Sequence, residues 1–520
     1  MHHSCNPSRM KLTDNSSVKQ WLEDLRLMCE SECMCVLQGK SLTQESSDLV
    51  LTSLKSTKDS IDTIKGRAHV VSTEFTKLHR RVRKERWSQV FTCGMRVVGQ
   101  IRSLLNECSN SFAVADSETV QLHQQVVTEG CGRLSQYLHS RVNEVDVDSP
   151  PDAAFLMKLM SSLGHSFSAL VDLSLGLLIQ QMLQSLDEPT SPYDLKSTLS
   201  HLVSLGLEGD HMCYLISREG GVQRLFEVCR SPSQQYGHAQ ALRAIATVCC
   251  ITESIHELEM VKGVEFLTDL LADSSVPGVV RSEAAGVIAQ ITSPCLDHYH
   301  HLTGFIENME DMVRSLTDLC IEASSAEVFL LACAALANMT FMDSLACDFL
   351  AQYHTPRVLI EACTLKKAQT IFAKDQVATV LANMAAIEVC CVEITENSGA
   401  ELLIHFLFEG PSEEGTATEA QACERVQQKA AIALTRLCKD PEVAQTMLDL
   451  QGMSRLVQLC RDPVERNHSD SVLVACLAAL RKVSSVLGLE VGDETKLSQL
   501  SPPKLKDSFL MCSNLDESVV

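Results

Sequence analysis

Two apolar patterns alternate along the chain from about residue 212 onward. One is helical and rich in small residues. It reads Ala244-Ile245-Ala246-Thr247, Val287-Ile288-Ala289-Gln290, Leu336-Ala337-Asn338-Met339, Leu381-Ala382-Asn383-Met384, Leu434-Thr435-Arg436-Leu437 and Ala479-Leu480-Arg481-Lys482. Thr247, Gln290, Asn338, Asn383, Arg436 and Lys482 align, at spacings of 43, 48, 45, 53 and 46 residues. The other pattern starts at a glycine and runs into a leucine-rich helix. Gly220-Gly221-Val222 precedes Leu225, Gly263-Val264 precedes Leu267, Gly399-Ala400 precedes Leu403, and Gly452-Met453 precedes Leu456. Val313 with Leu316, and Pro356 with Leu359, fill the same slots without the glycine. Upstream, Phe75 to Asn106 and Glu118 to Val142 carry apolar residues at three- and four-residue spacing, the period of a helix with one buried face. Ala153 to Leu186 reads as a long apolar helix or hairpin, ended by the breaker Asp187-Glu188-Pro189-Thr190-Ser191-Pro192.

A period of about 40–47 residues is that of armadillo and HEAT units. A unit of two or three helices cannot bury its apolar face alone, so its neighbours must stack on it. Alanine at the crossings lets helices approach closely, and glycine is expected to supply a turn that a β-carbon would strain. The fold class expected is therefore all-α: an α-solenoid of armadillo-like repeats over 193–487, with a helical region over 66–190 that extends or caps it, and flexible ends. The wide gap holds Gly410-Pro411-Ser412-Glu413-Glu414-Gly415-Thr416, a polar insertion expected as a surface loop. Asn338 and Asn383 stand where armadillo proteins place an asparagine that clamps an extended peptide in the groove; the alternative is a local capping role.

Composition narrows the class. Hydrophobic residues make up 45% and aromatics 4%, which suits close helix packing better than a sheet core. The formal net charge is −22, which argues against nucleic acid, since that affinity begins with neutralising phosphates. The one basic run, Lys77 to Arg86, reads as the solvated face of a helix or as a phosphate or lipid contact. No stretch reaches 18 apolar residues, so no membrane insertion is expected. The 23 cysteines include no Cys-x-x-Cys pair and sit mostly on apolar helix positions, as small hydrophobes in a reduced, cytosolic protein. Asp297-His298-Tyr299-His300-His301 lacks ligands at helical offset and reads as a polar loop. Phosphate-loop, dinucleotide, zinc-protease and nucleophile-elbow motifs are missing, so no enzyme and no cofactor is expected.

Both ends read as peptide ligands. Ser17-Val18-Lys19-Gln20 fits a capping box, and Val18, Trp21, Leu22, Leu25 and Met28 form one apolar stripe. Glu30-Ser31-Glu32 follows, then Cys33-Met34-Cys35-Val36-Leu37. Ser41 to Lys65 is polar and Ser/Thr-rich. The expected organisation is a disordered 1–14, a peptide ligand over 15–40 and a flexible linker over 41–65. A short tethered helix of this kind folds into a partner's groove or docks as a cap on its own solenoid. At the other end lies a tail over 488–520. Ser518 and Val520 make a class I PDZ ligand, in which the chain adds a strand to the domain's sheet edge.

Longer stretches carry a resemblance. Trp21-Leu22-Glu23-Asp24-Leu25 and Glu32-Cys33-Met34-Cys35-Val36-Leu37-Gln38 look like the N-terminal ligand of the Inscuteable family. Glu327-Val328-Phe329-Leu330-Leu331-Ala332, Cys423-Glu424-Arg425-Val426-Gln427-Gln428-Lys429-Ala430-Ala431 and Asp507-Ser508-Phe509-Leu510 resemble its vertebrate form. The resemblance implies a spindle-orientation adaptor. It assigns Trp21, Leu22, Leu25, Met28, Glu30, Glu32, Met34, Val36 and Leu37 to the tetratricopeptide groove of the LGN/Pins adaptor, in competition with NuMA. It couples the solenoid and the PDZ-type end to the Par polarity scaffold at the cell cortex. Ser31 stands where the family has proline in a Glu-Pro-Glu element, which lowers local rigidity and leaves both carboxylates. The competing expectation is a transport or junction protein whose solenoid groove holds an extended basic peptide.

Overall fold

The structure is a computed structural model that describes residues 52–110, 117–143, 151–189, 191–293, 303–342, 344–411 and 415–488. These residues form 22 α-helices and no strand, as the periodicity predicts. They divide into two compact units, one running to Val261 and one from Lys262.

The first unit begins with four long helices: α1 (Thr52–Arg83), α2 (Trp87–Asn110), α3 (Glu118–Tyr137) and α4 (Ala153–Gln184). Helix α1 corrects two expectations. It starts inside the stretch expected as a linker over 41–65, because Thr57, Ile61, Ile64, Val71, Leu78 and Val82 form one buried stripe. Polar residues among them, the buried Thr57 and the exposed Asp59, Asp62 and Thr63, masked that stripe. The pattern from Phe75 to Asn106 is also not one helix: a turn at Lys84–Arg86, with Glu85 left-handed at φ 52°, separates α1 from α2. Gly94 on α2 allows a close approach, since a Cβ there would lie 2.4 Å from Leu138 Cδ1. Leu138 opens a π-helical turn (Leu138–Asn143) that ends α3. Helix α4 has the length and mean hydropathy (1.4) of a membrane span. Its apolar side chains instead pack against α1 and α3, burying Leu156, Leu163, Leu170, Leu178 and Leu183. The mixed exposure along its length is that of a core helix in a helical stack.

Helix α4 also packs on α6 (Asp210–Arg218), so the front helices continue into the repeats of the same unit. Around α6 lie α5 (Pro192–Gly206), α7 (Gly221–Arg230), α8 (His238–Val248) and α9 (Thr252–Met260). The order in α6, α7 and α8 is two short helices and then a third with small residues on its buried faces. In the second unit, α10 (Gly263–Ala272) and α11 (Gly278–Ile291) come first, then α12 (Thr303–Glu322) and α13 (Ala326–Met339). Three full triplets follow. They are α14 (Ser344–Gln352), α15 (Thr355–Thr364) and α16 (Ile371–Met384); α17 (Glu388–Glu396), α18 (Gly399–Phe406) and α19 (Ala417–Leu437); and α20 (Pro441–Asp449), α21 (Gly452–Arg461) and α22 (Asp470–Leu487). Two short helices and a longer third make an armadillo-like unit.

The junction between the first two helices of a unit differs from the expectation in one respect. The left-handed residue is the one before the recurrent glycine, and it is usually not glycine: Lys262 (φ 52°), Ser398 (φ 63°) and Gln451 (φ 60°) hold it, as His354 (φ 54°) does before Thr355. The glycine that follows is needed for space. A Cβ on Gly399 would lie 2.4 Å from Ile394 Cγ2 and 2.7 Å from the Ile394 carbonyl oxygen. On Gly221 it would lie 2.5 Å from Ile216 Cγ2 and 2.6 Å from the Ile216 carbonyl oxygen. The second helix thus starts against the last turn of the first. Where neither glycine nor turn residue occurs, around Val313, the chain runs straight through as the 20-residue α12.

Third helices form the core of the second unit. Helices α11, α13, α16, α19 and α22 pack side by side in chain order. Nearly every residue from Ser282 to Ile291 and from Leu331 to Met339 is buried, so alanine is what the crossings tolerate. Four of these helices open on a hydroxyl N-cap: Ser325, Thr370, Thr416 and Ser469 accept from Val328, Ala373, Glu419 and Val472 N–H groups. Glu419 returns a bond to the Thr416 N–H at 2.9 Å, completing a capping box. Each cap satisfies a donor that the helix cannot, worth about 1 kcal/mol.

Candidate functional site

Of the residues assigned to partner binding, Trp21, Leu22, Leu25, Met28, Glu30, Glu32, Met34, Val36, Leu37, Ser518 and Val520 lie outside the described residues, as do His298, His300 and His301. Asn338 and Asn383 are described.

Both asparagines belong to a ladder built by the third helices. Asn338 is buried, and its Nδ2 donates to the Ala289 carbonyl of α11 at 2.7 Å. Asn383 Nδ2 donates to Thr340 Oγ1, at the end of α13, at 2.7 Å. Arg436 Nη1 donates to the Ala382 carbonyl of α16 at 2.5 Å. Ala289 and Ala382 each stand one residue before the aligned position of their own repeat. The aligned side chain therefore reaches back across one repeat and ties neighbouring third helices together. A peptide backbone seeking the Asn338 amide would compete with the Ala289 carbonyl. Gln290, at the same position of α11, leaves its buried Oε1 without a partner among the described residues.

A buried charge cluster joins α16 to α19. Asp375 is fully buried; Arg425 Nε lies 2.9 Å from its Oδ2 and Lys429 Nζ 2.8 Å from its Oδ1. Burial pushes the Asp375 carboxyl above its ordinary pKa, and the ammonium of Lys429 pulls against that shift. Lys374, one residue earlier, pairs with Glu409 at 2.5 Å. Sequence reading missed this cluster because its members are 50 and 54 residues apart.

No group of three metal-ligating side chains occurs among the described residues. No disulfide joins the described cysteines, and most of them are buried. Burial pushes the thiols of Cys131, Cys390 and Cys423 up to about 11, and those of Cys363 and Cys438 to about 12. Such thiols stay protonated and unreactive near neutral pH. The basic run ends α1, where Arg80, Arg81 and Arg83 complement the negative end of the helix dipole. In the first unit a cavity of about 540 Å³ has an apolar floor of Phe167, Val171, Leu175 and Met212. Its rim carries the His211–Asp172 pair at 3.1 Å and the Lys65–Glu208 pair.

Helix order, third-helix packing and the aligned ladder define an armadillo-type repeat protein. Comparison with known proteins gives the family. The family model described as Protein inscuteable C-terminal matches residues 67–520, and the one described as Inscuteable LGN-binding domain matches residues 14–54. The mouse protein named Protein inscuteable homolog is 43% identical over 98% of this chain and 89% of its own length. The human protein of that name is 42% identical over the same shares. Among solved structures, a computationally designed armadillo repeat protein for modular peptide recognition is 23% identical over 50% of this chain and 99% of its own, with a TM-score of 0.40. The chain belongs to the Inscuteable family, and it is an Inscuteable-type adaptor with an LGN-binding domain.

Proposed function

We propose that this protein is a cytoplasmic scaffold, recruited to the cell cortex, that joins the Par polarity complex to the LGN/Pins adaptor and so orients the mitotic spindle in asymmetric division. The observation that carries the reading is the LGN-binding match over residues 14–54, which contains the apolar stripe of Trp21, Leu22, Leu25 and Met28 and the carboxylates of Glu30 and Glu32. An amphipathic helix gives a groove its apolar anchors, and the acidic stretch after it meets basic groove residues. Met34, Val36 and Leu37 extend the contact. NuMA competes for the same LGN groove, so one LGN molecule holds either the polarity link or the microtubule link. The Ser518 and Val520 end engages a PDZ domain of the Par scaffold, with the Val520 side chain in its apolar pocket.

The test is a titration of the full chain against the tetratricopeptide domain of LGN. Deleting residues 15–40 abolishes binding, and Glu30→Lys with Glu32→Lys weakens it by about 3 kcal/mol or more, since charge-assisted contacts are worth about 1.5–3 kcal/mol each. Unchanged affinity in the deletion overturns the reading.

A further inference from the structure

We propose that the open face of α19 and α22, toward their C-terminal ends, is a docking surface for an extended acidic peptide of another protein, with carboxylates three residues apart. The aligned ladder changes character here. It carries Asn338 and Asn383 on α13 and α16, then Arg436 and Lys482 on α19 and α22. Lys439 and Arg481 add two more cations. Elsewhere in the third-helix layer the cations are spent: Lys374 pairs with Glu409, and Arg425 and Lys429 with Asp375. Arg436, Lys439, Arg481 and Lys482 make no ion pair among the described residues. Arg436 is half-buried, its one hydrogen bond goes to a carbonyl, and burial holds its guanidinium below the ordinary pKa.

The neighbourhood does not neutralise them. Glu388 and Lys439 both act on Cys391, and Lys482 acts on Cys438 beside Asp440. Asp440 already caps α20 by accepting from the Glu442 N–H at 2.9 Å. Arg436 and Lys439 thus share their surroundings with Glu388, and Lys482 shares its own with Asp440, in a chain whose net charge is −22. The helix dipole explains a cation in the last turn, which is where Arg436 sits. It does not explain Arg481 and Lys482, which precede the last turn of α22. A desolvated cation without a counter-ion costs stability, and an incoming carboxylate removes that cost.

Spacing sets the ligand. Neighbouring helices pack about 8–10 Å apart. An extended chain in the polyproline II form rises about 3.1 Å per residue and turns once every three, so carboxylates at i and i+3 share one face about 9 Å apart and reach Arg436 and Lys482 together. This surface is separate from the segment assigned to LGN, so the two readings stand or fall independently.

The test uses the full chain and a labelled peptide of roughly twelve residues that repeats Glu-Ser-Gly, which satisfies that spacing in the polyproline II form. The matching Lys-Ser-Gly peptide and an RNA oligonucleotide of the same length serve as controls. The acidic peptide binds, the basic one does not, and raising sodium chloride to about 0.5 M releases it. Lys439→Glu with Lys482→Glu leaves the Arg436–Ala382 bond in place and lowers affinity by about tenfold or more; Arg436→Gln lowers it less. Peptide binding that ignores both variants overturns the proposal, as does tighter binding of the RNA. The tail after α22 carries Glu490, Asp493 and Glu494. A tenfold gain in peptide affinity when those three become glutamine assigns the surface to the chain's own tail and overturns docking of a partner.

Discussion

The helix junctions and the third-helix layer of the second unit are held by opposite means. A junction such as α17–α18 is local: Ser398 takes the left-handed turn, and Gly399 lets the new helix start against Ile394. The third-helix layer is held across repeats. Asn338 bonds Ala289, Arg436 bonds Ala382, and Asp375 bonds Arg425 and Lys429, each pair separated by 49 to 54 residues. A local device fixes the shape of one unit, whereas the long-range bonds couple one unit to the next. In repeat proteins, stability is roughly a sum of unit terms and interface terms, so damage to the two should look different.

The largest effect falls on the layer. Asp375→Ala removes the buried carboxylate that Arg425 and Lys429 share, and breaking a buried pair in this way costs about 3–5 kcal/mol. Chemical denaturation of the full chain measures it. The transition should also broaden or split, because α16 and α19 lose their charged link. Replacing all three with apolar residues of similar volume should recover most of the loss. A triple variant as unstable as Asp375→Ala would show that the charges do more than satisfy one another.

What the sequence made legible follows the same division. The repeat period and the all-α class came from local patterns that recur every 43 to 53 residues. The glycines were read as the source of positive φ, which holds at Gly220 (φ 78°) but not at Gly263, Gly399 or Gly452. Lys262, His354, Ser398 and Gln451 carry no turn signal of their own, and a steric contact with the preceding helix has no mark in composition. Helix α1 was misread before residue 66 because its polar residues, the buried Thr57 among them, imitated a linker. The Asp375 cluster was invisible, since no local window holds both an Asp and an Arg 50 residues on. Arg436 and Lys482 were aligned from sequence with Asn338 and Asn383, yet their lack of counter-ions needed coordinates. The segments read as peptide ligands at the two ends lie outside the described residues, and the family match over residues 14–54 supports the first of them.

A second effect, smaller, falls on a junction. In Gly399→Ala the new methyl group meets the Ile394 carbonyl and side chain, and a backbone oxygen cannot swing aside. Overpacking of this kind costs about 1–3 kcal/mol. The α14–α15 junction is the internal control. Thr355 occupies the equivalent position, is fully buried, and places its hydroxyl 3.0 Å from Thr317 Oγ1. Thr355→Gly should therefore destabilise, opposite to what the other junctions would suggest. Equal tolerance of alanine at Gly399 and of glycine at Thr355 in thermal melts would undo the steric account.

The smallest effect should be a gain. Ser398 and Gln451 pay for a left-handed backbone that costs non-glycine residues about 1–2 kcal/mol, and neither side chain caps its helix. Ser398→Gly and Gln451→Gly relieve that strain while making the unfolded chain more flexible. The two terms oppose, and the net should be a stabilisation of about 0.5–1 kcal/mol per site. His354→Gly should gain less, because its Nδ1 lies 2.9 Å from Glu393 Oε1 and that contact goes with it. Both glycine variants should leave the width of the denaturation transition unchanged, since they act inside one unit and not between units. A broadened transition in Ser398→Gly would mean that junction geometry also sets the contact between repeats, and the separation between local turn and long-range layer would fail.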